Sequence, residues 1–110
     1  MSEPITITQA NFEQEVVRSE VPVLVDYWAA WCGPCRILGP IVEEIARERA
    51  GAMKVGKVDI DAEPELAARA GAFSIPYVVL YRNGEPVASA LGAMPKPQLE
   101  ADLGLVEARA

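Results

Sequence analysis

Two cysteines three positions apart, Cys32 and Cys35, are the residues most able to do chemistry in this 110-residue chain, and they are all the cysteine it has. Positions one helical turn apart lie roughly 5.4 Å from each other, inside the Cα range that a disulfide accepts. As a staple such a bond would do little. Closing a loop of about four residues contributes ~1.9 kcal/mol in the chain-entropy estimate, against ~3 for fifteen residues. The other reading is a redox pair. Residues before Trp31-Cys32-Gly33-Pro34-Cys35 read as a buried strand and those after as an amphipathic helix, which sets Cys32 at a helix N-terminus. Unpaired backbone N–H groups and the positive end of the helix dipole favour a thiolate there. Cys32 is then the exposed attacker on a substrate disulfide. Cys35, one turn deeper, resolves the mixed disulfide and leaves the two cysteines bonded.

What the chain lacks narrows the chemistry further. It contains no histidine, the commonest general base near neutral pH and the commonest metal ligand, and two cysteines cannot fill a tetrahedral site. No metal is expected. Sixteen acidic residues against ten basic ones give a net charge of −6, which repels nucleic-acid phosphates and anionic membrane surfaces. The start, Met1-Ser2-Glu3-Pro4, has neither the basic region nor the apolar run of a secretory leader, and no apolar stretch is long enough to cross a bilayer. The expectation is a soluble, cytoplasmic protein of one domain over residues 1–110, with 51% hydrophobic and 24% charged residues to build one core.

The elements that must position the pair follow in order. Ile5 to Thr8 alternates as a half-buried strand, and Asn11, with Gln14 in capping-box register, opens a short helix with Phe12, Val16 and Val17 as its apolar stripe. Val23-Leu24-Val25-Asp26-Tyr27-Trp28 is an almost continuous apolar run, as a strand covered on both faces requires. The cysteine helix carries Ile37, Leu38, Ile41, Val42, Ile45 and Ala46 at one-turn spacing, with Pro40 predicting a kink. Met53 to Ile60 is a strand, and Asp61 with Pro64 begins a helix that Gly71 ends. Tyr77 to Tyr81 runs into the hairpin pair Asn83-Gly84 and returns through Val87 to Leu91. Pro95 and Pro97 open a last helix striped by Leu99, Leu103 and Val106. The order βαβαβαββα predicts an α/β fold, a mixed five-stranded sheet flanked by four helices, without fixing the strand order.

Asp26 is the exception inside its run. Period-2 alternation sets it on the face of Leu24 and Trp28, where burial raises a carboxylate's pKa and suits it to shuttle a proton near neutral pH. A salt-bridged aspartate on a frayed strand end is the simpler alternative. Trp28 reads as core and Trp31 as exposed, and Arg36 and Lys96 read as solvated surface.

With those residues in view, the chain resembles the thioredoxin family over essentially its whole length. The resemblance runs through Val23 to Trp28, Trp31 to Cys35, Pro40, Asp59-Ile60-Asp61, Ile75-Pro76, Asn83-Gly84 and Leu91-Gly92-Ala93. It implies the thioredoxin fold and a protein disulfide reductase with no bound cofactor, only the redox-active Cys32–Cys35 disulfide. Asp26 would be acid and base for Cys35 with Lys57 nearby. Taken alone, Ile75-Pro76 marks a loop with a trans bond, whereas the resemblance implies a cis bond against the cysteines and backbone groups free to pair with an extended substrate. Trp31, Gly33, Pro34, Ile60, Gly92 and Ala93 would form the apolar surface that partners cover. Tyr77 departs from the threonine common after this proline, and its phenol would reach into the groove.

A flavin-dependent thioredoxin reductase is the implied electron source, and ribonucleotide reductase, peroxiredoxins and methionine sulfoxide reductases are the implied clients of what is expected to be a monomer in cell redox homeostasis. Two rivals remain. One is a thiol oxidase or isomerase on the same fold, against which Gly33-Pro34 lacks the histidine of the oxidising relatives. The other is a binding module or assembly subunit that uses the apolar groove without redox turnover.

Overall fold

The computed structural model describes residues 3–105. Strands β1 (Ile5–Thr6), β2 (Val23–Trp28), β3 (Lys54–Asp59), β4 (Tyr77–Arg82) and β5 (Glu85–Leu91) form one sheet in the order β1-β3-β2-β4-β5. β3 runs parallel to both β1 and β2, β4 is antiparallel to β2, and β5 is antiparallel to β4. Helices α1 (Gly33–Glu48), α2 (Pro64–Ala70) and α3 (Lys96–Asp102) alternate with the strands, and a π-helical turn over Glu13–Val17 takes the place of the first helix. The predicted element order and mixed sheet are present, with β2 at the centre.

Both faces of β2 are buried, which is why its sequence is apolar almost throughout. Leu24 packs with Leu38, Val42 and Ile45 of α1, Leu80 of β4 and Leu99 of α3. Val23, Val25 and Tyr27 point the other way, toward Val16, Val58, Leu66 and Tyr81. Neighbouring residues on one strand thus serve two separate cores.

Turn chemistry holds the ends. Asn83 and Gly84 both have positive φ, 53° and 80°, the backbone of a tight hairpin turn with the twist that β4 and β5 need. Gly71 ends α2 in the left-handed conformation.

Several expectations are corrected. Asn11 does not cap a helix: its Oδ1 accepts from Thr8 N at 2.7 Å and its Nδ2 donates to Thr6 O at 2.9 Å. It closes the loop after β1, Phe12 takes the cap position without a side-chain bond, and Arg18 N donates to Glu13 O five residues back. The predicted stripe of α1 is narrower than its apolar residues, since Ile37 is exposed while Leu38, Val42 and Ile45 are fully buried. Pro40 lies within α1 on its exposed side, the place where the sequence expects a kink. Lys96 is not simply solvated: it pairs with Glu44 at 3.2 Å and with Glu48, tying the start of α3 to α1. Leu99 and Leu103 are buried as expected; Val106 lies outside the described residues.

Candidate active site

The carboxyl end of β2 delivers the chain into the cysteine loop. Cys32 N donates to Ala29 O at 3.1 Å, and the Arg36 guanidinium donates to Ala30 O at 2.7 Å, so the side chain read as solvated surface in fact braces this loop. Cys32 is the N-cap of α1, with extended backbone and Pro34 in the first turn, where a missing N–H costs nothing. Its sulfur stands where a capping oxygen would: Sγ accepts from Cys35 N at 3.2 Å. The two cysteines are bonded, with Cα atoms 5.3 Å apart.

The expected contrast between an exposed attacker and a deeper resolver is absent in this oxidised form. Cys32 is 4% exposed and Cys35 6%. The asymmetry is one of partners. Cys32 sits at the helix cap, whereas Cys35 lines a cavity of about 460 Å³ with Trp28, Arg36, Gly39, Glu43 and Lys57. A β-carbon at position 39 would lie 3.6 Å from Lys57 Nζ, so glycine there keeps the cavity open down to the ammonium.

Asp26 lies mid-strand, directly opposite Lys57 of β3, and is buried to 1% exposure. It is therefore not on a frayed strand end. Lys57 Nζ stands 3.8 Å from Oδ2, and Oδ1 has no hydrogen-bond partner among the described residues. Burial pushes the Asp26 carboxyl up to about 6, against the opposing pull of the Lys57 charge. Lys57 also sits over the Trp28 ring, 5.3 Å from its centroid, so Trp28 is half-buried between the ammonium and the cysteines rather than deep in the core.

Ile60 and Ile75 pack with Trp28 against Ala29, Cys32 and Cys35. Trp31 is 65% exposed, and its indole N–H donates to Asp61 Oδ2 at 2.9 Å. Asp61 is itself held by its N–H donating to Asp59 Oδ1 at 2.9 Å. The Ile75–Pro76 bond is cis, Pro76 is buried, and Pro76 O accepts from Gly92 N at 2.8 Å, which brings the β5 end to the same rim. Gly33, Pro34 and Ala93 are exposed.

Tyr77 is the exception. In the β2–β4 register it opposes Tyr27, and the two rings lie 6.3 Å apart on the sheet face away from Asp26. Its phenol does not reach into the cysteine groove; a strand that turns Val78 toward Asp26 must turn Tyr77 away. Sequence reasoning missed the role of Asp61 in holding Trp31, although a carboxylate directly after Ile60 was the signal. Among the described residues, no three His, Cys, Asp or Glu side chains converge as metal ligands, and no helix is long and apolar enough to cross a membrane.

The arrangement can hold a disulfide at a helix cap, with a buried carboxyl and an ammonium on the Cys35 side and an apolar rim around it. Comparison with known proteins gives that chemistry a family. The Thioredoxin family model matches residues 3–104. The chain is 46% identical to the thioredoxin of Alicyclobacillus acidocaldarius over 99 residues, covering 90% of this chain and 93% of that one. It is 46% identical to thioredoxin 1 of a Nostoc strain over 103 residues, 94% and 96% of the two chains, and 45% identical to the thioredoxin of Mycobacterium bovis over 102 residues, 93% and 88%. A Cys-x-x-Cys pair at disulfide distance at this place in this fold makes the protein a dithiol–disulfide oxidoreductase of the disulfide-reductase type, and the chain belongs to the thioredoxin family.

Proposed function

We propose that Cys32 is the nucleophile, Cys35 the resolving thiol and Asp26 the proton acceptor for Cys35, with Lys57 tuning Asp26. The observation that carries the reading is the capping bond, in which Sγ of Cys32 accepts from the Cys35 backbone N–H. The same geometry stabilises a sulfur anion. In the reduced protein the Cys32 thiolate attacks one sulfur of a client disulfide. The client S–S bond breaks, and its second sulfur leaves as a thiolate that takes a proton from water. Cys35 gives its proton toward Asp26 and attacks Sγ of Cys32. The mixed disulfide breaks, the client's first sulfur leaves as a thiolate and is protonated in turn, the Cys32–Cys35 bond forms, and two electrons have passed to the client.

Trp31, Gly33, Pro34, Ile60, Ile75, Pro76, Gly92 and Ala93 form the surface on which an extended client segment lies. The cluster of Ile60 and Ile75 on the cysteines and the Gly92–Pro76 bond support that assignment. The backbone of Tyr77 borders the same surface, while its ring does not. A flavin-dependent thioredoxin reductase restores the dithiol, and ribonucleotide reductase, peroxiredoxins and methionine sulfoxide reductases are the client classes. The protein works as a single-domain monomer in the cytoplasm, maintaining thiol redox balance.

Catalytic reduction of insulin by a dithiol donor tests the reading. The wild type accelerates it, and a Cys32→Ser variant that was equally fast would remove the nucleophile assignment. Cys35→Ser should hold clients as mixed disulfides on Cys32. Equilibration with glutathione decides direction: a bond that stays oxidised in a reducing glutathione buffer would make the protein an oxidant instead.

A further inference from the structure

All three tyrosines of the chain, Tyr27, Tyr77 and Tyr81, line one cavity of about 470 Å³ on the sheet face turned away from the cysteines. That volume lies within the roughly 300–1,000 Å³ of small-molecule sites. β2 and β4 supply the tyrosine floor; Phe12 and, from α2, Leu66 and Arg69 supply the wall. Phe12 meets Tyr81 edge to face with ring centroids 5.9 Å apart, and the Arg69 guanidinium lies over the Phe12 ring at 5.4 Å.

The polar groups here are donors in excess. The hydroxyls of Tyr27 and Tyr81 are 2.7 Å apart, and whichever one donates, the hydrogen of the other is left over from that pair. Burial pushes both phenols up, so they stay protonated at neutral pH. The Tyr77 hydroxyl makes no hydrogen bond to a described residue, and Arg69 has no carboxylate partner among them. No aspartate or glutamate lines the cavity, in a chain whose net charge is −6. Aromatic walls, spare phenol hydrogens and one guanidinium together match a flat ring that carries an anionic acceptor.

We propose that this cavity is a second binding site, separate from the disulfide, for a small aromatic carboxylate whose ring lies among Phe12, Tyr77 and Tyr81 and whose carboxylate meets Arg69 and the hydroxyls of Tyr77 and Tyr81. The ring and carboxylate could belong to a free arenecarboxylate or to a peptide ending in an aromatic residue.

The test is a titration of the isotopically labelled, oxidised full chain followed by amide chemical shifts, with sodium 2-naphthoate and N-acetylphenylalanine as the two probes and uncharged 2-naphthamide as comparator. Saturable shifts at Tyr77, Tyr81 and Arg69 with either acid are expected, and the tighter of the two names the source. Arg69→Gln should weaken acid binding about tenfold, as loss of a charge-assisted bond does, while Arg69→Lys restores part of it. Tyr81→Phe provides an independent check that leaves the exposed arginine in place. No saturation by either acid up to about 10 mM would overturn the proposal. So would equal binding of the amide, or shifts that gather instead at Trp31 and Cys32.

Discussion

Lys57 Nζ stands 3.8 Å from Asp26 Oδ2, yet Asp26 Oδ1, on the same carboxyl, faces no hydrogen-bond donor among the described residues. The pairing is too loose to offset burial, and the carboxyl holds its proton up to about pH 6. The unfolded chain releases that proton near its ordinary 3.8, so between about pH 4 and pH 6 the folded state binds more protons and stability falls as pH rises. The full displacement corresponds to about 3 kcal/mol. Asp26→Asn should therefore be more stable than wild type by up to about 3 kcal/mol near pH 7.5, with the gain gone near pH 4. Urea unfolding of the oxidised proteins at both pH values checks it, and equal stability near pH 7.5 would show that the carboxyl is not strained.

Removing the ammonium should move the carboxyl further the same way. In Lys57→Met the one charge that pulls the Asp26 pKa down is gone, so its titration should shift above about 6. Carbon-13 NMR of the aspartate carboxyl measures this directly. If Asp26 accepts the Cys35 proton as proposed, the pH profile of insulin reduction should follow it upward, since only the ionised carboxylate can take that proton.

Asp61→Ala leaves the exposed Trp31 indole without its 2.9 Å anchor. Stability should change by no more than about 0.5 kcal/mol, as for surface substitutions in general. KM for a protein client should rise with kcat little altered. A lowered kcat at unchanged KM would place Asp61 in the chemistry rather than in client binding.

Arg49 and Glu100 join α1's end to α3 through a 3.2 Å ion pair that is largely covered. Arg49→Met strands the Glu100 carboxylate and should cost about 2 kcal/mol, below the ~3–5 of a fully buried pair. Adding Glu100→Leu should return most of that loss. A double-mutant cycle in guanidinium chloride would show independence of the two sites if the losses simply added.

Gly84→Ala should destabilise by about 1–2 kcal/mol, since φ is 80° and a β-carbon would lie 3.2 Å from Val17 O. Thermal unfolding reads this cleanly, because the hairpin tip is remote from the cysteines.

Much of the fold was legible because period and punctuation agree. The run Val23 to Trp28 could only be a covered strand, Asn83-Gly84 could only be a hairpin, and Gly71 stops α2 as expected. Asp26 stands out as a carboxyl in an apolar run, and its burial follows from its place mid-strand in a strand covered on both faces. Other features depend on contacts between distant residues. Nothing near Asn11 says that its amide will turn back to Thr6, and nothing near Lys96 says that Glu44 and Glu48 will be opposite. Cys32 read as exposed because its helix position is terminal, but Ile60 and Ile75 arrive from two other loops to cover it. The face that the Tyr77 ring takes is decided by which residue of β2 it opposes, a register that no local pattern carries.

The alternation along β2 sets Asp26 on the disulfide side and Tyr27, its immediate neighbour, in the phenol-lined cavity. A single residue inserted between Val23 and Asp26 would turn both to the opposite faces, sending the phenol toward the disulfide side and the carboxyl among the tyrosines, and would turn Trp28 over with them. The central strand is therefore the segment least able to drift in length, while the same insertion near Gly51, on an exposed turn between α1 and β3, reverses nothing.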